Sequence, residues 1–158
     1  MILGMSVARF TQLHVALSLV GIVAGFVVIF GMMASKRLPG VTALFLITTA
    51  LTSITGFLFP YHGMTPGIVI GILSLAVLLL AVIAYYGRWR GTWVVTAVAA
   101  QFFNFFVLIV QSFEKVPALH ALAPTGKEMP LKAAQIGTLI FFIILGIVAY
   151  RRYRPAAD

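Results

Sequence analysis

The sequence predicts an all-α membrane protein, a single domain over residues 1–158 built as a bundle of five transmembrane helices. Hydrophobic residues make up 62% of the chain and charged residues only 9%, whereas soluble domains carry roughly 45–50% and about 25%. Five apolar stretches each approach the ~20 residues that a helix needs to span a ~30 Å hydrocarbon core. Lipid is therefore the predicted solvent for most of this chain.

The five stretches are separated by residues that break helices. The predicted spans cover about residues 11–33, 41–59, 68–86, 92–113 and 131–150. Proline or glycine occurs in every link, and both interrupt helices, since proline cannot continue a helix and glycine favours turns. They are Pro39 and Gly40, Pro60, Gly63, Pro66 and Gly67, Gly87 and Gly91, and Pro117, Pro124 and Pro130. The link over residues 114–130 is the only long connection.

Basic residues predict the orientation of the bundle. With the N-terminus outside, seven lie inside, namely Lys36, Arg37, Arg88, Arg90, Arg151, Arg152 and Arg154. Four lie outside, namely Arg9, Lys115, Lys127 and Lys132. Because basic residues near helix ends favour the cytoplasmic side, we expect the N-terminus outside and the C-terminus inside. The expected location is the inner (cytoplasmic) membrane, as a multi-pass protein.

Several function classes are excluded or disfavoured by the residues that are missing. The chain has no cysteine, which excludes disulfides, thiolate metal sites and cysteine nucleophiles. The net charge of +8 comes from clusters beside apolar runs, which is typical of membrane-flanking charge and not of nucleic-acid binding. Glu114, Glu128 and Asp158 are the only acids. None lies within a span, where ion-coupled transporters usually place a carboxylate.

His14 is the most informative polar residue. It lies near the outer end of the first span, with Ser18, Gly21 and Gly25 below it on the same helix face. One interpretation is a packing seam, in which small residues let another helix approach and His14 forms a hydrogen bond with a neighbour. The other is a site in which the small residues leave room for a flat ligand beside the imidazole.

The histidines predict an outer-leaflet cofactor site, because the expected topology places all three on one side. We expect b-type haem or a quinone, with electron transfer as the function. His14 would be the first axial or metal ligand and His62 or His120 the second. The nearby cations offered to haem propionates would be Arg9, Lys115 and Lys132.

Uncharged polar residues within the spans predict a pocket that opens outward. The predicted pocket residues are Ser18, Thr52, Thr55, Gln101, Asn104, Gln111 and Gln135. Taken singly, such residues are common interhelical hydrogen-bonding groups, worth about 0.6 kcal/mol each. Their shared position in the middle and outer half of the membrane indicates a common site.

The long link over residues 114–130 alternates apolar and polar residues between spaced prolines. Loops longer than about 12–15 residues are usually functional or disordered. We expect an ordered cap in which Leu119 and Leu122 pack against the bundle. A solvated loop is the alternative.

Two stretches, T-G-F-L-F-P at residues 55–60 and K-V-P-A-L-H-A-L-A-P-T at residues 115–125, give the chain a resemblance. It resembles small bacterial multi-pass membrane proteins of unknown function, and that resemblance implies no activity or site residue. Two alternatives to the cofactor site remain open. One is a homo-oligomeric channel or permease for an uncharged or anionic solute. The other is a structural or assembly subunit of a membrane complex. The expected partners are the bilayer and copies of the chain or a membrane complex, and no catalytic motif is present.

Overall fold

A computed structural model describes residues 1–60 and 66–155. Five of its helices are long and apolar enough to cross a membrane, which confirms the predicted number of spans. They are α1 (Val7–Met33), α2 (Pro39–Gly56), α3 (Pro66–Tyr86), α4 (Arg90–Lys115) and α6 (Met129–Arg152), and a short helix, α5 (Pro117–His120), lies in the long link. The ends of the long helices differ from the predicted spans by only a few residues.

Local residue types explain where the helices begin and end. The Ser6 side chain caps α1 by accepting a hydrogen bond from the Arg9 amide at 3.3 Å. Proline occupies the first turn of α2, α5 and α6, where its missing N–H has no helical partner to lose. The links after α1 and α3 turn through left-handed backbone at Ser35 (φ 58°) and Arg88 (φ 57°). Both turns are short, so consecutive helices run antiparallel.

The helices pack around α4, which contacts α1, α3 and α6, while α2 lies against α1 and α3. One end of the bundle, here called the histidine end, contains the starts of α1, α3 and α6, the ends of α2 and α4, and α5. The opposite end, here called the arginine end, contains the two short links and the end of α6. Because the chain crosses five times, its first and last described residues lie at opposite ends.

Packing is tightest in the half of the bundle nearer the arginine end. The buried cluster there includes Val28, Phe45, Ala81, Val94 and Ala149. Towards the histidine end, α4 residues 102–110 are all half-buried, whatever face of the helix they occupy. Large apolar side chains cover the outer surface, as a lipid-facing exterior requires. The histidine half is therefore the less tightly packed half of the bundle.

The link between α4 and α6 is an ordered cap on the histidine end. Leu119 packs against a small buried cluster formed by Phe113, Ala123 and Leu131, so the prediction for Leu119 is confirmed. Leu122 is 54% exposed, and the prediction that it packs on the bundle is wrong. The bend at α5 points Leu119 inward and leaves Leu122, three residues later, on the outside.

Candidate functional site

Polar side chains from three helices form one continuous seam in the histidine half and the middle of the bundle. We call it the polar seam, and its members are His14, Ser18, Thr48, Thr49, Thr52, Thr55, Gln101 and Asn104. On α2, threonines at positions 48, 52 and 55 are spaced by four and three residues and share one face. That face lies against α1, which supplies His14 and Ser18.

A single hydrogen bond sets the chemistry of His14. Its Nδ1 lies 2.8 Å from Oγ1 of Thr55. The same Oγ1 lies 2.7 Å from the carbonyl oxygen of Leu51, which can only accept, so the threonine proton is donated there. On this assignment Thr55 accepts from His14, and we place the proton of the imidazole on Nδ1. The lone pair of the ring is left on Nε2.

Aromatic and glycine contacts hold the imidazole in place. The ring of Phe59 meets the His14 ring edge to face, with centroids 5.2 Å apart at 88°. Phe10, which is only 1% exposed, packs on Phe59 at 5.1 Å. On another side of the ring, Cε1 of His14 would lie 3.7 Å from a Cβ atom added to Gly56. The ring is therefore fixed by packing as well as by Thr55.

The Nε2 atom of His14 is open. Within residues 1–60 and 66–155, Nε2 has no hydrogen-bond partner. It is also not fully buried, since the only fully buried side-chain polar atom without a partner in those residues is Oε1 of Gln101. His14 as a whole is half-buried. An uncharged imidazole nitrogen with a free lone pair accepts a hydrogen bond from a hydroxyl group or binds a metal ion. The seam thus presents one basic nitrogen beside aromatic rings.

Below His14, the polar seam is closed by hydrogen bonds within and between helices. Within α1, the Ser18 hydroxyl donates to the His14 carbonyl at 2.8 Å. From α4, the Asn104 amide donates to Oγ1 of Thr49 on α2 at 2.9 Å, and the Gln101 amide donates to the Ile22 carbonyl on α1 at 2.7 Å. The two bonds from α4 join α1, α2 and α4 in the middle of the bundle, and all three bonds use a donor that a ligand would otherwise need.

The small residues below His14 are covered by side chains. A Cβ atom on Gly21 would lie 3.1 Å from Oγ1 of Thr48. On Gly25 it would lie 2.8 Å from the ring of Phe45, and it would collide with the amide of Gln101. The structure therefore agrees with the packing interpretation of this face. The groove that would have received a flat ligand is filled by α2 and α4.

The other predicted site residues lie apart from His14. Gln111 is exposed and donates to Glu114 at 3.1 Å, and Gln135 is half-buried on α6. His120 is exposed on α5, and exposed cations occur at Arg9, Lys115 and Lys132. His62 lies outside the described residues. Within the described part of the chain, no group of three or more histidine or acidic residues is arranged to hold a metal ion.

A second polar region, at the arginine end, was missed by sequence analysis. A cleft of about 610 Å³ is lined by Ser35, Arg37, Tyr85, Tyr86 and Arg88, with two prolines. The Arg37 guanidinium lies 5.3 Å from the centre of the Tyr85 ring, and burial raises the pKa of the neighbouring Tyr153 hydroxyl. Arginines and tyrosines beside spans are also typical of a membrane interface, so their sequence pattern alone does not indicate a cleft.

Two chemical environments thus stand out, a basic nitrogen among aromatic rings at the histidine end and arginine-tyrosine contacts at the arginine end. The first can receive an uncharged amphipathic molecule from the membrane, because its rings are apolar and its nitrogen accepts one proton donor. Comparison with protein-family models, with curated proteins and with solved structures finds no match to this chain.

Proposed function

We propose that this chain is a multi-pass membrane protein that binds a quinol, the reduced form of a membrane quinone, at His14. The observation that carries the proposal is the open Nε2 atom of His14, left with the lone pair because Thr55 accepts the Nδ1 proton. A quinol hydroxyl would donate its proton to Nε2. The proposal concerns binding, and assigns no electron acceptor to the chain.

The surroundings of His14 support a quinol on three counts. The ring of Phe59, supported from behind by Phe10, offers the apolar, aromatic contact that ligand sites usually combine with a few polar groups. The partial exposure of His14 is consistent with a head group that reaches it from the membrane. The isoprenoid tail of a quinol stays in lipid, so the bundle need not enclose it.

Haem is less well supported than quinol. A porphyrin needs a broad flat space beside its axial histidine, and the side chains of Thr48, Phe45 and Gln101 fill the face below His14. A second axial ligand would have to come from His62 or His120. His120 is exposed on α5, and α5 packs on α4, not on α1. Haem would give a visible Soret band, so colourless protein produced with ample haem would eliminate it.

A structural or assembly subunit is the second candidate, and the closed part of the polar seam favours it. Gln101 and Asn104 use their donors on neighbouring helices, and Ser18 uses its donor on the backbone of its own helix, as residues that only hold a bundle together would. The same bonds weigh against a channel through one copy, since Gln101 is fully buried at the contact of α1 and α4. Absence of any quinol binding would favour the structural role.

We further propose that the histidine end faces outward and that the membrane is the inner, cytoplasmic one. The support is the distribution of basic residues, seven at the arginine end and four at the histidine end by the counts given above. Basic links favour the cytoplasmic side. On this proposal, His14 lies in the outer leaflet, about 12 Å along the helix from its cap at Ser6, at 1.5 Å per residue.

Equilibrium binding of a short-chain quinol to protein in lipid nanodiscs tests the proposal. We expect saturable binding by the wild type, loss of at least tenfold in affinity in His14→Gln, and no change in His120→Gln, the matched control on α5. A second variant, Phe59→Leu, removes the edge-to-face contact and should weaken binding without removing Nε2. Equal affinities of wild type and His14→Gln would contradict the proposal.

A further inference from the structure

An apolar groove runs along the lipid-facing surface between α4 and α6. Its volume is about 440 Å³, and its lining includes Val98 and Phe102 from α4 and Leu139, Gly146 and Tyr150 from α6. Gly146 lies on the wall of this groove, where an added Cβ atom would lie 3.4 Å from Cγ1 of Val98. The groove lies on the side of α4 that contacts α6, and the inference drawn from it is independent of the proposed function.

The length and position of the groove match one leaflet of a bilayer. From Leu139 to Tyr150 the helix rises about 16 Å, at 1.5 Å per residue. Half of a ~30 Å hydrocarbon core is about 15 Å. The groove begins at the arginine end, where Tyr150 and Arg151 line it, and ends near the middle of the membrane. These dimensions suit a single acyl chain that enters from the interface.

The charge at the mouth of the groove selects an anionic head group. Arg151 is exposed and has no hydrogen bond or ion pair with the residues described. Its neighbour Arg90 is held in place instead, donating to the carbonyls of Tyr150 and Tyr153 at 2.8 and 2.6 Å. The two acidic residues in the described ranges, Glu114 and Glu128, both lie at the histidine end. The Arg151 cation is therefore available to a phosphate.

We infer that this groove is a binding site for an anionic phospholipid, with one acyl chain between α4 and α6 and the phosphate at Arg151. A partner helix or a second copy would also cover apolar surface. Neither explains why the groove stops at mid-membrane and has at its mouth a cation that none of the residues in 1–60 and 66–155 neutralises. Lipid bound there would fill the groove beside Gly146 and join α4 to α6.

Native mass spectrometry of the detergent-solubilised protein, titrated with dioleoyl phosphatidylglycerol or dioleoyl phosphatidylcholine, tests the inference. One basic residue near the surface is worth roughly fivefold in affinity for an anionic lipid. We expect the wild type to bind one phosphatidylglycerol about fivefold more tightly than phosphatidylcholine. Arg151→Gln should remove that preference, and Arg152→Gln, the neighbouring control outside the groove, should keep it.

Filling the groove provides a second, independent variant. Gly146→Leu should weaken binding of both lipids. Gly137→Leu, on the same helix, is the control and should not weaken it, because no atom lies within 4 Å of a Cβ added to Gly137. Equal affinity of the wild type for the two lipids, or unchanged binding in Gly146→Leu, would overturn the inference. So would a dimer that Gly146→Leu dissociates, since a second copy would then occupy the groove. If Gly146→Leu does not fold, Arg151→Gln still tests the inference, because Arg151 is exposed and its replacement disturbs no packing.

Discussion

The imidazole Nδ1 of His14 lies 2.8 Å from the hydroxyl oxygen of Thr55, a residue 41 positions further along the chain. This contact joins the start of α1 to the end of α2, and it determines which ring nitrogen is free. With the Thr55 proton assigned to the Leu51 carbonyl, the histidine donates. Outer hydrogen bonds of this kind commonly fix the tautomer of a histidine that binds something through its other nitrogen.

Removing the acceptor should therefore change ligand affinity more than stability. In Thr55→Val the Nδ1 proton loses its partner and the imidazole can exchange tautomers. We expect unfolding free energy to fall by about 1 kcal/mol, and quinol affinity to fall severalfold. Thr11→Val is the matched control, because Thr11 makes the same bond to its own helix, to the Val7 carbonyl, at the same end of the bundle. An equal loss of affinity in Thr11→Val would show that the bond between Thr55 and His14 does not determine quinol affinity.

Gly25 tests the closed part of the polar seam. A methyl group there would collide with the amide of Gln101 and lie 2.8 Å from the ring of Phe45, so both side chains must shift and the bond from Gln101 to the Ile22 carbonyl is disturbed. We expect Gly25→Ala to lower the unfolding free energy by about 2 kcal/mol or more, measured by thermal or denaturant unfolding in detergent. Gly137→Ala should instead be neutral or stabilising, by up to about 1 kcal/mol. Similar stabilities for the two variants would mean that the seam is not tightly packed.

The cap over the histidine end should respond to acid through Glu128. Its carboxylate accepts from the Thr125 hydroxyl at 2.7 Å and from the Lys127 amide at 2.9 Å. The hydrogen bond from the Thr125 side chain is the main cause that lowers the pKa of Glu128 from 4.5 to about 2. Because the folded-state pKa is depressed, the stabilisation is complete above pH 4.5 and is lost as the pH falls towards 2.

The amide proton shifts of Thr125 and Lys127, followed by NMR across that range, measure this directly. We expect a titration midpoint near 2 in the wild type and no titration of these shifts in Glu128→Gln. A midpoint near 4.5 would show that the carboxylate is not held by these donors in solution.

The orientation proposal is tested by reporter fusions. A reporter in the 34–40 link, or one after Asp158, should be active in the cytoplasm, because basic residues concentrate at that end of the bundle. A reporter near Thr125 should be active outside. A cytoplasmic signal at Thr125 would reverse the sidedness of every site described here, while leaving the internal geometry of those sites intact.

The sequence predicts the spans better than it predicts the contacts between them. Span number follows from apolar length, a property of each stretch alone, and the shared face of Thr48, Thr52 and Thr55 follows from helical periodicity. The pairing of Thr55 with His14 depends on how α1 and α2 are rotated against each other, which no local pattern specifies. The filling of Gly25 by Gln101 depends likewise on the position of α4.

The predicted polar pocket illustrates the same limit. Asn104 and Gln111 lie seven residues apart and nearly on one face of α4, and sequence analysis therefore grouped them. In the structure Asn104 donates to Thr49 on α2, whereas Gln111 is exposed and donates to Glu114 on its own helix. Helical periodicity predicts which face of the helix a residue occupies, whereas its burial depends on how the helices pack.

The central claim, that Thr55 leaves the His14 Nε2 free for a quinol, is tested most directly by nitrogen NMR. Protein labelled with ¹⁵N-histidine in nanodiscs, with the His14 signals assigned by their absence in His14→Gln, reports the protonation of each ring nitrogen. We predict a protonated Nδ1 and an unprotonated Nε2 without ligand, and a shift of the Nε2 signal when a short-chain quinol is added. A protonated Nε2, or an Nε2 signal that stays fixed at saturating quinol, would contradict the claim.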